Sequence, residues 1–112
     1  MHEMTIMENM LSIINAQIQA NNLKTLHKVK IVVGSLTGIV PESLDFCWQI
    51  CTENSNYAGA ALEIEQRQAA ALCSKCGREY PLKEDYSCPL CAGGIGQIIA
   101  GKELYIDYLE GD

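Results

Sequence analysis

The chain has few positive charges and few aromatic side chains. Its 112 residues include eight Lys and Arg against fourteen Asp and Glu, which gives a formal net charge of -6. Because proteins bind phosphate backbones largely through Lys and Arg, we expect no nucleic-acid partner. Aromatic residues make up only 6% of the sequence, which leaves little surface for docking nucleic acid by stacking.

Long apolar runs are also absent. No stretch approaches the roughly 18 apolar residues that cross a bilayer, and the start, Met1-His2-Glu3-Met4, lacks the basic flank of a secretory signal. We therefore predict a cytoplasmic protein without membrane association. In that reducing compartment, the six cysteines are expected to bind metal or to carry out redox chemistry rather than to form structural disulfides.

Hydrophobic periodicity predicts an N-terminal helix and three strands. The helix carries one apolar stripe with helical spacing, formed by Met7, Met10, Leu11, Ile14 and Ile18. Period-two alternation predicts strands over residues 28–33, 62–67 and 104–109, with Gly34 ending the first and a charged outer face on the second. The three strands are expected to share one sheet, because an isolated strand is only marginally stable.

A second helix is predicted from Pro41 to Thr52. Proline loses no hydrogen bond in a first turn, and the carboxylate of Glu42 suits the positive end of the helix dipole. Cys47 and Cys51 share one face of this helix with Leu44 and Trp48. We therefore interpret both cysteines as core residues rather than metal ligands.

The predicted fold class is α+β, with two helices on a three-stranded, mainly antiparallel sheet and an inserted four-cysteine zinc-ribbon module. Residues 1–68 form the first segment of the main domain, residues 69–97 the ribbon, and residues 98–112 a C-terminal strand that returns to the main domain. The return is expected because an unpaired edge strand is a liability.

Four cysteines have the spacing of a structural zinc site: Cys73, Cys76, Cys88 and Cys91. Each CxxC pair directs two sulfurs at one point, and zinc accepts four thiolates tetrahedrally with no open position for substrate. Gly77 permits the positive φ that such knuckles often require. A thiol-disulfide oxidoreductase is the alternative, but a thioredoxin-like CxxC opens a helix after a strand, whereas these pairs flank a short polar hairpin.

His2 allows a second type of metal site. The α-amine of Met1, the His2 amide nitrogen and the His2 Nδ1 close two chelate rings in one plane, which suits square-planar nickel(II) or copper(II). Glu3 could supply a fourth donor. An incidental exposed histidine beside a frayed terminus explains the same residues, so the pattern alone leaves both interpretations open. His27, at the start of a strand, is interpreted as a surface or partly packed residue.

Several segments together resemble the HypA/HybF family of nickel metallochaperones. They are the start Met1-His2-Glu3, residues 34–44, the paired CxxC motifs, residues 58–64 and residues 101–106. The resemblance spans the whole chain, and the joint order of these segments is far more specific than any one motif.

The resemblance implies a carrier rather than an enzyme, one that delivers Ni²⁺ to the large subunit of nickel-iron hydrogenase together with the GTPase HypB. The resemblance also implies that the protein supports urease in some organisms, where urease accessory proteins would be its partners. It assigns nickel to Met1, His2 and Glu3 in the main domain, and structural Zn²⁺ to the four cysteines. A monomer or weak homodimer is expected. The alternative function is a zinc-ribbon protein-interaction module without a nickel role.

Overall fold

The computed structural model describes residues 3–82, 88–89 and 96–112. Within these residues the structure has two helices, six strands and a 3-10 turn, in the order α1 (Glu3–Ala20), β1 (Leu26–Gly34), the 3-10 turn (Ser35–Thr37), α2 (Pro41–Thr52), β2 (Ala61–Arg67), β3 (Ala70–Leu72), β4 (Glu79–Pro81), β5 (Gln97–Ala100) and β6 (Leu104–Gly111). In these described ranges, neither helix has the length and apolar character needed to cross a membrane.

The main sheet has the strand order β2-β1-β6, with β1 in the centre. It confirms the predicted α+β class and the return of the C-terminal strand to the first two strands. β6 pairs with β1 in the antiparallel direction, whereas β2 pairs with β1 in the parallel direction. The sheet is therefore mixed, because α2 connects β1 to β2 as a crossover helix and lets both strands run the same way.

The main core lies between the helices and this sheet. From β1, Val29 and Ile31 are fully buried, and both helices pack their apolar residues against them. The predicted stripe of α1 is confirmed at its most buried positions, which are Met7, Met10 and Ile14. Cys47 is buried in the same core and Cys51 is partly buried against it, as predicted for core residues.

β6 departs from the simple alternation that its sequence suggests. A register shift opposite Lys30 and Ile31 pairs these two residues with Tyr108 and Ile106, so Asp107 is skipped. Such a bulge places one extra residue in the strand and moves the following side chains to the other face. Ile106 and Leu109 consequently both pack on the main core, although strict alternation separates them.

The outer face of the main sheet carries a row of ion pairs. The Lys28 ammonium lies 2.6 Å from Glu63, and the Lys30 ammonium lies 2.9 Å from Glu65 and 3.5 Å from Asp107. The predicted charged face of the second strand is confirmed. The hydrogen bond from Lys28 lowers the pKa of Glu63, and it raises the pKa of Lys28 in turn.

A second, smaller sheet has the order β4-β3-β5, and both of its strand pairs are antiparallel. β5 belongs to this sheet, so the chain joins the main sheet again at Leu104. Hydrogen bonds connect the turn after β1 to residues beside the small sheet. Leu36 N–H donates to the Gly101 carbonyl over 2.8 Å, and Ala69 N–H donates to the side-chain Oγ of Ser35 over 3.0 Å. The division into units at 68/69 and 97/98 stays a prediction.

Candidate metal centre

The first cysteine knuckle begins directly after β3. Cys73 N–H donates to the Arg78 carbonyl over 2.9 Å, and Gly77 N–H donates to the Cys73 carbonyl over 3.0 Å. Gly77 has a φ of +72°, in the left-handed region that glycine tolerates best, as predicted for a knuckle. Cys76 N–H lies 3.4 Å from Cys73 Sγ, so a backbone dipole points at that sulfur. The loop thereby directs both sulfurs towards one point.

Cys88 brings a third sulfur to the same place. The Sγ atoms of Cys73, Cys76 and Cys88 all lie within 4.8 Å of one another. Cys76 Sγ and Cys88 Sγ are 3.8 Å apart, and thiolates bound to one zinc at about 2.3 Å are separated by about 3.8 Å in a tetrahedron. A disulfide between these two cysteines would require about 2.05 Å. The donor set and its spacing fit zinc.

The sulfurs sit on a small apolar cluster. Cys73 and Cys88 are buried with Ala69, Ala71, Tyr80 and Leu82, and Cys76 is exposed. Tyr80 Oη accepts a hydrogen bond from Gly96 N–H over 3.0 Å, which ties β4 to the segment before β5. Apart from Tyr80 and Leu82, the members of this cluster are alanines and cysteines, so the packing here contributes little apolar area.

The other predicted site residues are only partly within the described part of the chain. Cys91, Met1 and His2 lie outside the described residues, and their assignments stay predictions. Glu3 is the first residue of α1 and is half-buried. His27 is exposed, with Nε2 2.9 Å from Asp112 Oδ2, which confirms it as a surface residue.

One contact between two sulfur atoms was not predicted from the sequence. Cys51 Sγ on α2 lies 3.4 Å from Met4 Sδ on α1. Burial is the main cause that raises the pKa of the Cys51 thiol, and the neighbouring Cys47 and Glu8 add to it. The helical spacing of Cys47 and Cys51 was visible in the sequence, but the contact with Met4 depends on how the two helices pack.

Comparisons with known proteins agree with this architecture along the whole chain. The family described as "Hydrogenase/urease nickel incorporation, metallochaperone, hypA" matches residues 1–111. The chain is 39% identical over 112 residues to the hydrogenase maturation factor HypA of Desulfosudis oleivorans, with 98% of this chain and 97% of the relative covered. It is 33% identical to the factor of the same name from Moorella thermoacetica, with complete coverage of both.

Two solution structures share the fold. The Ni metallochaperone HypA from Helicobacter pylori superposes with a TM-score of 0.66 at 19% identity, covering 99% of this chain and 97% of that one. A second structure, described as HypA protein, gives a TM-score of 0.71 at 17% identity, covering 98% and 95%.

The fold and the cysteine cluster define a metal-binding α+β protein with a thiolate-rich module. The matches over the full length make the class more specific: the chain belongs to the HypA family of nickel-incorporation metallochaperones.

Proposed function

We propose that this chain binds Ni²⁺ and delivers it for the maturation of nickel-iron hydrogenase. The observation that carries the proposal is the family match over residues 1–111, together with relatives named hydrogenase maturation factors that match over nearly all of their own length. The family description also names urease, so support for urease maturation is part of the proposal.

Nickel is bound by Met1, His2 and Glu3 in this proposal. Glu3 opens α1, and the helix is held in place from its second turn by Met7, which is fully buried. Glu3, one of the three proposed nickel ligands, is thus part of a helix that is anchored in the main core. The Met1 amine, the His2 amide and the imidazole offer three nitrogens in a plane, which suits nickel(II). A partner protein can take the ion by exchanging ligands one at a time, without its full release.

Zinc has a structural role in the proposal, with Cys91 as the fourth ligand beside Cys73, Cys76 and Cys88. The three described sulfurs support it, because they form one cluster and the 3.8 Å between Cys76 Sγ and Cys88 Sγ is the spacing of two thiolates on one tetrahedral ion. Four protein thiolates leave no coordination position for substrate. The cysteine module is therefore a scaffold, and the transported metal binds elsewhere.

The proposed partners are a HypB-type GTPase and the hydrogenase large subunit, with urease accessory proteins where urease is the client. The chain acts in the cytoplasm as a monomer or weak homodimer and catalyses no reaction. The net charge of -6 supports partners other than nucleic acid.

Nickel titration of the chain with its native amino terminus tests the site. His2→Ala is expected to lower nickel affinity by an order of magnitude or more, because it removes a ligand that also fixes the chelate plane. His27→Ala is the matched control, because His27 is the other histidine and its ring contacts Asp112. One added residue before Met1 is expected to abolish binding, since it displaces the α-amine.

Native mass spectrometry measures the outcome directly, as the number of zinc and nickel ions bound per chain. One zinc with one nickel, and loss of only the nickel in both altered proteins, supports the carrier. Retention of nickel in both would contradict it and would favour the zinc-ribbon interaction module. Acidification through the histidine reference pKa of about 6.5 is expected to weaken nickel binding, because protons compete for the imidazole.

A further inference from the structure

Two sulfur atoms are in contact where the start of α1 packs against the end of α2, and a third sulfur-containing residue, Cys47, lies one helical turn away on α2. Cys51 Sγ lies 3.4 Å from Met4 Sδ. Cys47 precedes Cys51 by four residues, so both side chains lie on the same face of α2. All three residues belong to or pack against the main core. Two helices that are far apart in sequence therefore contribute soft donors to one place.

Burial across this group is graded. Cys47 is only 8% exposed, whereas Met4 and Cys51 are half-buried. Cys47 is therefore the innermost residue of the group, and Met4 and Cys51 lie nearer the protein surface. Methionine and cysteine also serve as ordinary core fillers, but filling alone does not require a thiol and a thioether in direct contact at the protein surface.

We propose that Met4, Cys47 and Cys51 form a binding site for a soft monovalent metal ion, Cu(I). Thiolate and thioether ligands select Cu(I), whereas the proposed nickel ligands are nitrogen and oxygen donors. Sulfurs bound to one ion at about 2.3 Å in a trigonal arrangement lie about 4 Å apart. Because the Met4 side chain is unbranched and flexible, a small rotation from the present contact reaches that spacing.

The binding step is a ligand substitution without electron transfer. Cu(I) forms bonds to the sulfurs of Cys47 and Cys51 as their two protons pass to solvent, and it accepts a lone pair from the neutral Met4 sulfur. Copper remains Cu(I) throughout. The site is separate in donor chemistry from both the zinc module and the proposed nickel ligands, so it does not depend on the proposed function.

Anaerobic titration of the zinc-loaded full chain with Cu(I), in the presence of a coloured Cu(I) chelator, tests the proposal. Zinc is measured in parallel, because Cu(I) also attacks the thiolates of the cysteine module. We expect one Cu(I) per chain with zinc retained, and copper-edge X-ray absorption that shows only sulfur donors. Cys51→Ser is expected to weaken binding by at least tenfold, and Met4→Leu severalfold.

Two controls separate this site from general effects. Met10→Leu makes the same change at another core-facing methionine of α1 and is expected to leave Cu(I) affinity unchanged. His2→Ala is expected to leave it unchanged as well. The proposal is overturned if Cys51→Ser and Met4→Leu bind Cu(I) as the parent chain does, if zinc leaves mole for mole as copper enters, or if His2→Ala abolishes binding. Met4→Leu keeps the test informative should Cys51→Ser fold poorly.

Discussion

The two sheets of this protein are stabilised in different ways. The main sheet is covered by two helices, and its core includes large apolar side chains such as Ile14, Ile31 and Leu44, all fully buried. The small sheet is covered by no helix within the described residues, and its cluster is built mainly from alanines and cysteines. One region has a hydrophobic core, whereas the other brings metal-binding sulfurs together.

This difference shows that a bound metal can take the place of a large hydrophobic core in stabilising a small module. A module of about thirty residues buries too little apolar surface to offset the entropy of ordering its chain. In the proposed zinc site, metal–sulfur bonds would supply that free energy instead, because binding and folding are coupled when the site does not exist in the unfolded chain. We therefore expect the two regions to respond to different perturbations.

The largest effect is expected from Cys76→Ser. Cys76 is exposed, so the change removes a sulfur without opening a cavity. Since loss of a partner outside the ligand shell alone costs about 10–100-fold in metal affinity, we expect zinc affinity to fall by more than that. Elemental analysis and amide NMR signals of β3 to β5 measure the outcome.

Ser74→Ala provides the control for that experiment, because Ser74 is an exposed residue of the same knuckle. It is expected to retain one zinc per chain. Loss of signals from the main sheet in Cys76→Ser would show that the two regions fold as one unit, contrary to the comparison drawn above.

Ile14→Ala is the corresponding change in the main core. Ile14 is fully buried on α1, so its truncation leaves a cavity. We expect a loss of about 2–5 kcal/mol in the free energy of unfolding, measured by urea denaturation at constant zinc. Zinc content should not change. Ile13→Ala, at the exposed neighbouring position, is expected to cost much less.

Gly34→Ala tests the junction between the two sheets. Gly34 N–H donates to the Glu103 carbonyl over 2.7 Å, and a Cβ at position 34 would overlap the backbone carbonyl of Gly101. We expect destabilisation of about 1–3 kcal/mol from overpacking, measured by urea denaturation. Gly59→Ala is the control, because a Cβ there meets no atom; equal losses for both would rule out the junction as the cause.

The smallest effect is expected from the ion pairs on the main sheet. The hydrogen bond from Lys28 lowers the pKa of Glu63, and that from Arg67 is the main cause that lowers the pKa of Glu65. A carboxyl group whose pKa is lower in the folded state stabilises the fold above its unfolded pKa, about 4.3 for glutamate, and loses this contribution as the pH falls through its folded pKa.

The double change Glu63→Gln with Glu65→Gln is therefore expected to lower the melting temperature slightly at pH 7 and not at pH 3. The two proteins are compared at each pH, so that loss of zinc in acid affects both alike. A difference that grows on acidification would contradict the sign of the pKa shifts. High salt is expected to reduce the effect at pH 7, because these groups are exposed.

Local patterns predicted much of the fold because they reflect local physics. α2 begins at Pro41 and ends at Thr52, and β1 ends at Gly34, as the sequence indicates. The stripe of α1 and the left-handed Gly77 also agree with their residue types. Periodicity failed in β6, because the bulge opposite β1 arises from pairing between strands and not from the strand's own sequence.

The candidate sites also differ in how far the sequence predicted them. Spacing was sufficient to identify the cysteine pairs, since the first CxxC closes its own knuckle and the sulfur of Cys88, from the second pair, lies within 4.8 Å of those of Cys73 and Cys76. The contact between Met4 and Cys51 was not predictable, because they lie 47 positions apart in the sequence and only the packing of α1 on α2 brings their sulfurs together.

The sequence by itself determined the two helices, the three strands of the main sheet, the ligand types of the metal module and membership of a family, because propensity, period and motif order are properties of the chain. The tertiary structure decided which strands pair and in which direction, which strand carries a bulge, and which sulfurs meet across α1 and α2. Those outcomes depend on contacts between distant residues, and their free energy is gained only when the whole core assembles.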